Sequence, residues 1–110
     1  MSKYVIEKSS DGKFYFTLRA DNGEKILMSE MYEAKAGAET GIAAVKINAG
    51  DDARYERKMS KGNQPYFVLK AANHEVIGTS EEYSSDSAME TGIAAVKAEG
   101  PMALTEDRSM

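Results

Sequence analysis

The chain of 110 residues contains no cysteine. That absence removes disulfides, thiolate nucleophiles, zinc–thiolate sites and iron–sulfur ligation together. It holds one histidine, His74, so a Ser-His-Asp triad would have to be built around that residue and a multi-histidine metal site is excluded. No apolar run approaches the eighteen or more residues needed to cross a bilayer, and "MSKYVIEKSS" lacks the apolar centre of a secretory signal. Cytoplasmic residence, without membrane association, is the default expectation, although cysteine absence equally suits a periplasmic or secreted protein. An excess of positive charge is also missing: net charge is −4 and pI about 5.0, which argues against nucleic acid as a partner. Neither a phosphate-cradling GxxxxGK[ST] nor a dinucleotide-binding GxGxxG occurs.

What is present is ordinary globular composition, 42% hydrophobic and 29% charged, in a length suited to one domain. It also carries a repeat. "ETGIAAVK" occupies Glu39 to Lys46 and again Glu90 to Lys97. At the same offset, without a gap, Tyr4 matches Tyr55, and likewise Ser9/Ser60, Tyr15/Tyr66, Phe16/Phe67, Leu18/Leu69, Ala20/Ala71, Asn22/Asn73, Glu24/Glu75, Ile26/Ile77, Ser29/Ser80, Glu30/Glu81 and Tyr32/Tyr83. Solenoids need about three or more units, so two copies imply a closed pseudo-two-fold pair sharing one core. Each unit alone would bury too little surface. The repeats run over about residues 3–50 and 54–101, joined at "NAGDDA" (48–53), with a C-terminal tail at 102–110 that composition reads as frayed.

Within a unit, "YVIEK" reads as a strand ended by the turn "SSDG". "KFYFTLRA" alternates, with Phe14, Phe16, Leu18 and Ala20 on one face. Asn22-Gly23 suits a two-residue hairpin turn before a third strand, "KILMS". The second copy has Asn73-His74 there, and histidine in the glycine slot predicts a different turn type. Ala38, Gly41, Ile42, Val45 and Ala49 recur at helical spacing, as do Met89, Gly92, Ile93 and Val96. Ser87 with Glu90 fits a capping box; the first helix shows no comparable cap. Glycines inside helices cost about 1 kcal/mol each relative to alanine, so Gly41 and Gly92 predict close approach of the helix to the sheet or to its twin.

These motifs, "SSDGKFYFTLRADNGEKILMSEMY" with "AETGIAAVKINA" and "QPYFVLKAANHEVIGTSEEY" with "METGIAAVK", resemble the YegP family of small bacterial proteins, over nearly the whole chain. The resemblance implies an α+β fold: tandem βββα units forming one antiparallel sheet with two helices on one face and with the strands after the helices exchanged between units. It also implies a short final strand from "PMALTEDRSM". It brings no catalytic, cofactor or metal residue with it.

Function is weakly written in the residues. His74 reads as a solvated loop tip. Glu24/Glu75 and Glu30/Glu81 are repeated carboxylates, a type used in hydrolysis or hard-cation binding, but nothing in the sequence brings them together. "GDD" at Gly50 to Asp52 lacks EF-hand spacing and reads as a linker with a helix-ending glycine. Tyr32 and Tyr83 read as plugs at the end of the core. With Phe16 and Leu18 facing the helices, Tyr15, Arg19, Tyr66 and Lys70 point to the other side of the sheet, with Thr17 and Val68. That set could grip a partner; cross-strand tyrosine pairing on a half-wet sheet is the simpler account. The expectation is a small non-enzymatic binding module acting through an open sheet face or edge, with a protein partner or a second copy. The alternatives are a carboxylate hydrolase working in a groove between the repeats and a purely structural assembly protein.

Overall fold

The computed structural model describes residues 2–109. Six strands and two helices follow the expected order: β1 (Lys3–Lys8), β2 (Phe14–Arg19), β3 (Lys25–Met28), α1 (Lys35–Asn48), β4 (Tyr55–Met59), β5 (Pro65–Lys70), β6 (Val76–Thr79) and α2 (Asp86–Glu99). A 3-10 turn at Asp52–Arg54 bridges α1 to β4. A seventh strand, β7 (Leu104–Asp107), closes the chain. The tail that composition reads as frayed is therefore a strand, held by parallel pairing with β1 from Lys3↔Leu104 to Ile6↔Asp107. The sheet runs β4-β5-β6-β3-β2-β1-β7. It is antiparallel except for the β1–β7 pair, so the α+β sheet of the tandem repeats is mixed.

Period-2 alternation sets the two faces. Tyr4, Ile6, Phe16, Leu18, Leu27, Phe67 and Leu69 join Ala38, Ile42, Val45, Met89, Ile93 and Val96 of the helices in one core that spans both repeats. Two cross-links reinforce it: Tyr4 of β1 donates its hydroxyl to the Gly100 carbonyl after α2, at 2.6 Å, and Tyr55 of β4 donates to Ala49 after α1, at 2.7 Å. Each first strand thus satisfies the carbonyl end of a helix from the other repeat.

The hairpin turns differ from expectation. Ala20 N–H donates to the Glu24 carbonyl and Gly23 N–H to Ala20, so the loop has three residues, with Gly23 at φ +86°. This is a type I turn closed by a left-handed residue. His74 adopts the same geometry at φ +72°, with the same two bonds, Ala71 to Glu75 and His74 to Ala71. The turn type is unchanged because Asn22 and Asn73 each accept from the backbone two residues on, which holds the loop whatever fills the last position.

Helix starts also differ. α2 is capped by Ser85, whose hydroxyl accepts from Ala88 N–H, two residues before the Ser87 of the expected box, because Asp86 is already helical. Ala34 opens α1 with no side-chain cap, as the sequence suggests. Gly41 and Gly92 do lie under close neighbours, but neither sheet backbone nor the twin helix. A Cβ at Gly41 would stand 2.6 Å from the Tyr32 hydroxyl and 2.8 Å from Phe16, and one at Gly92 would stand 2.7 Å from Tyr83 Cζ. The two tyrosines stack on Phe16 and Phe67 at 6.5 and 6.3 Å, so each plugs the core by lying across its own helix.

Candidate functional site

Because both helices cover one face, the other face of the sheet carries the expected residues, and Tyr15, Arg19, Tyr66 and Lys70 all stand on it. They form two groups. Arg19 binds Glu7 at 3.0 Å across β1–β2 and donates to Thr17 at 3.2 Å, while Tyr15 lies opposite Glu7 and donates to it at 3.5 Å. Burial first, then Glu7, raises the Tyr15 phenol pKa. In the second repeat Lys70 pairs with Glu56, which also meets Lys58 at 3.8 Å, and Lys70 holds the Glu56 carboxyl below its usual range. Tyr66 stands opposite Lys58. The cations are thus matched by Glu7 and Glu56, which only the i, i+2 alternation of β1 and β4 marks in the sequence.

Two strands, β6 and β3, separate the groups, so Tyr15 and Tyr66 are not cross-strand neighbours and the simple pairing account fails. What lies between them is a groove. β3 and β6 share one bridge, Met28↔Thr79, and a cavity of about 360 Å³ opens there, lined by Lys25, Met28 and Glu30 from one repeat and Val76, Thr79 and Glu81 from the other. Met28 is 41% exposed. An adjoining depression shares Thr79 and Glu81 and reaches Tyr66. The groove straddles the pseudo-two-fold, where a residue meets its own counterpart, and there the repeats have diverged. Leu27 occupies the space over Gly78, where a Cβ would stand 2.6 Å from the leucine side chain. Two leucines would not fit.

The remaining expected positions are dispersed. His74 is an exposed turn residue. Asp51 caps the 3-10 turn, and Asp52 binds Lys97 at 2.6 Å and Arg57 at 3.3 Å, so "GDD" ties the joint to α2 besides linking. Gly50 does not end α1 in a left-handed turn, since its φ is not positive. A second groove, about 480 Å³, runs on the helix side between α1 and the β5–β6 hairpin; it holds Glu75 without Glu24. Glu24 and Glu75 are thereby parted, whereas Glu30 and Glu81 both line the groove on the pseudo-two-fold; among the described residues no group of three metal-binding side chains forms. Among these residues, too, no helix is long and apolar enough to cross a membrane.

The family model described as a domain of unknown function, DUF1508, matches twice, over residues 9–56 and 60–107. The second match takes in β7 whole and the first reaches only the start of β4; these strands pair with β1 and β5 respectively. A UPF0339 protein of Acinetobacter baylyi is 54% identical over 104 residues, covering 94% of both chains. The UPF0339 protein YegP of Escherichia coli K12 is 47% identical over 106 residues, covering 96% of both. The solution structure of a UPF0339 protein from Shewanella oneidensis superposes with a TM-score of 0.93 at 45% identity, covering 98% of this chain and 92% of that one. The solution structure of E. coli YegP, described as a protein of unknown function, gives 0.93 at 46% identity, covering 98% and 93%. With two matches in tandem, full-length relatives and the same fold, the chain belongs to the YegP-like UPF0339 family of DUF1508 repeat proteins, a family without an assigned function.

Proposed function

We propose that the protein is a small, non-enzymatic, cytoplasmic binding module that engages a protein partner through the open face of its sheet. The observation that carries this reading is the groove on the pseudo-two-fold, lined by exposed Met28, with the strands of Tyr15/Arg19 and of Tyr66/Lys70 next to it on either side. An apolar centre with a polar, charge-balanced rim is the layout of a protein-binding patch. The ion pairs Arg19–Glu7 and Lys70–Glu56 leave no net basic strip, which favours a peptide segment over a polyanion. Docking at the β4 edge is less favoured, since Glu56, Arg57 and Lys58 put three consecutive charges on a short strand, a pattern that discourages strand addition.

The test is amide chemical-shift mapping with pools of extended peptides, comparing the intact protein with Met28→Lys. Perturbations centred on Met28, Thr79, Tyr15 and Tyr66 that vanish in the variant support the reading. Perturbations elsewhere, or unchanged in the variant, overturn it.

A further inference from the structure

Most residues held in common by the two repeats have an intramolecular task. Tyr4/Tyr55 bind helix ends, Asn22/Asn73 hold turns, Ser29/Ser80 accept from Phe16 and Phe67 N–H, and Lys46/Lys97 lie over the Tyr4 and Tyr55 rings at 5.6 Å. The carboxylates of Glu24/Glu75 and the hydroxyls of Tyr32/Tyr83 have none: among the described residues no ion pair or hydrogen bond engages them. They converge in pairs across the repeats. Tyr32 lines the 480 Å³ groove with Glu75; after burial, the charges acting on the phenols are Glu30 and then Glu75 for Tyr32, and Glu81 and then Glu24 for Tyr83. Each phenol pKa is raised, chiefly by burial.

The residues lining the rest of the groove are duplicated in sequence as well. Of its ten lining positions, eight carry the same residue in both repeats, among them Thr40/Thr91, Gly41/Gly92 and Ala44/Ala95. Fewer than half of all aligned positions between Tyr4 and Gly50 do so. The outer groove is less uniform: Ser29/Ser80 and Glu30/Glu81 are kept, but Lys25 has Val76 as its counterpart, Leu27 has Gly78 and Met28 has Thr79. Packing accounts for Gly41 and Gly92 but not for an exposed glutamate retained at the rim twice. The lining is largely apolar, contains no lysine or arginine, and has one charged side chain, Glu75. Its size falls within the range of small-molecule sites.

We propose that this groove, and the equivalent residues between α2 and the β2–β3 hairpin, each bind a small organic cation with an aliphatic stem. The stem lies along Ala44, Ala71 and Ile77 (the equivalent residues being Ala95, Ala20 and Ile26). The ammonium donates to the carboxylate of Glu75 or Glu24 and to the oxygen of Tyr32 or Tyr83. A charge-assisted bond to carboxylate supplies orientation and discrimination. The site lies on the opposite side of the sheet from the proposed protein-binding face and is independent of it.

Hexylamine is the probe, with 1-hexanol and hexanoate as controls, read by amide chemical shifts of the intact protein. Saturable shifts at Gly41, Asn73 and Glu75 and at Gly92, Asn22 and Glu24 are expected for hexylamine alone. Glu75→Gln should weaken the first set about tenfold, the loss of one hydrogen bond to a charged group, and leave the second set; Glu24→Gln should do the reverse. Tyr32→Phe should weaken the first set by a smaller factor. Equal binding of 1-hexanol, shifts spread over all surface carboxylates, or indifference to both glutamine variants would each overturn the proposal.

Discussion

Positions nearest the pseudo-two-fold show most sharply how one residue limits another. Leu27 is 1% exposed and fills the volume that a side chain at Gly78 would need. Gly78→Leu should destabilise the protein by about 1–3 kcal/mol, the usual cost of overpacking. Combining it with Leu27→Gly, which exchanges the two residues across the axis, should recover a substantial part of that loss; urea denaturation of the three variants measures both. Gly41→Leu should cost at least as much, because Tyr32 and Phe16 are fixed by stacking against each other and neither can withdraw. A near-neutral Gly41→Leu would contradict the packing of Tyr32 across α1. The need for small residues at 41 and 92 is readable in the sequence, as glycine on an apolar helical stripe. The neighbour that demands it is not, since Tyr32 lies nine residues away along the chain, between a strand and a helix, with no periodic signal.

Among the elements, β7 is the one whose hold is mainly backbone and charge. Three of its four side chains are exposed, Leu104 at 70%. It is kept by the ladder to β1 and by Lys3–Glu106 and Lys35–Asp107, both at 2.8 Å. Arg108 and Lys3 lower the Glu106 pKa to about 2, and Lys35 and Ser109 lower Asp107 to about 2. For depressed carboxylates the stabilisation is full above the unfolded pKa near 4 and disappears as pH falls through 2. The protection factors of the β1 amides facing β7, relative to intrinsic exchange at each pH, should therefore fall between about pH 4 and pH 2 before those of β2 and β5 do. Added salt should reduce the difference, because the pairs are solvent-exposed. Uniform exchange across the sheet would deny β7 a separate, charge-held opening. Composition alone reads "LTED" as a frayed end because it lacks an apolar alternation; its strand state comes from an available β1 edge, which is a property of the partner.

At the scale of the whole molecule, the two repeats are bound by a common sheet, a common core and the reciprocal bonds Tyr4–Gly100 and Tyr55–Ala49. Residues 1–51 and 52–110 expressed separately should each lack a cooperative thermal transition, since fragments of about fifty residues bury too small a share of their surface. Mixing them should restore native amide dispersion. A stable monomer from either fragment would refute the shared-core architecture.

The sequence alone determined the tandem repeat, the order of strands and helices, the buried stripe on each helix and the face assigned to Tyr15, Arg19, Tyr66 and Lys70, because each of these rests on periodicity along a contiguous segment. Only the tertiary structure decided that Glu7 and Glu56 neutralise those cations, that β7 pairs in parallel with β1, that Tyr15 and Tyr66 stand two strands apart, and that Glu24 and Glu75 belong to separate grooves. Those are contacts between segments distant in the chain. They depend on how two similar surfaces meet about an axis, and a residue's own neighbours in sequence carry no record of what lies across it.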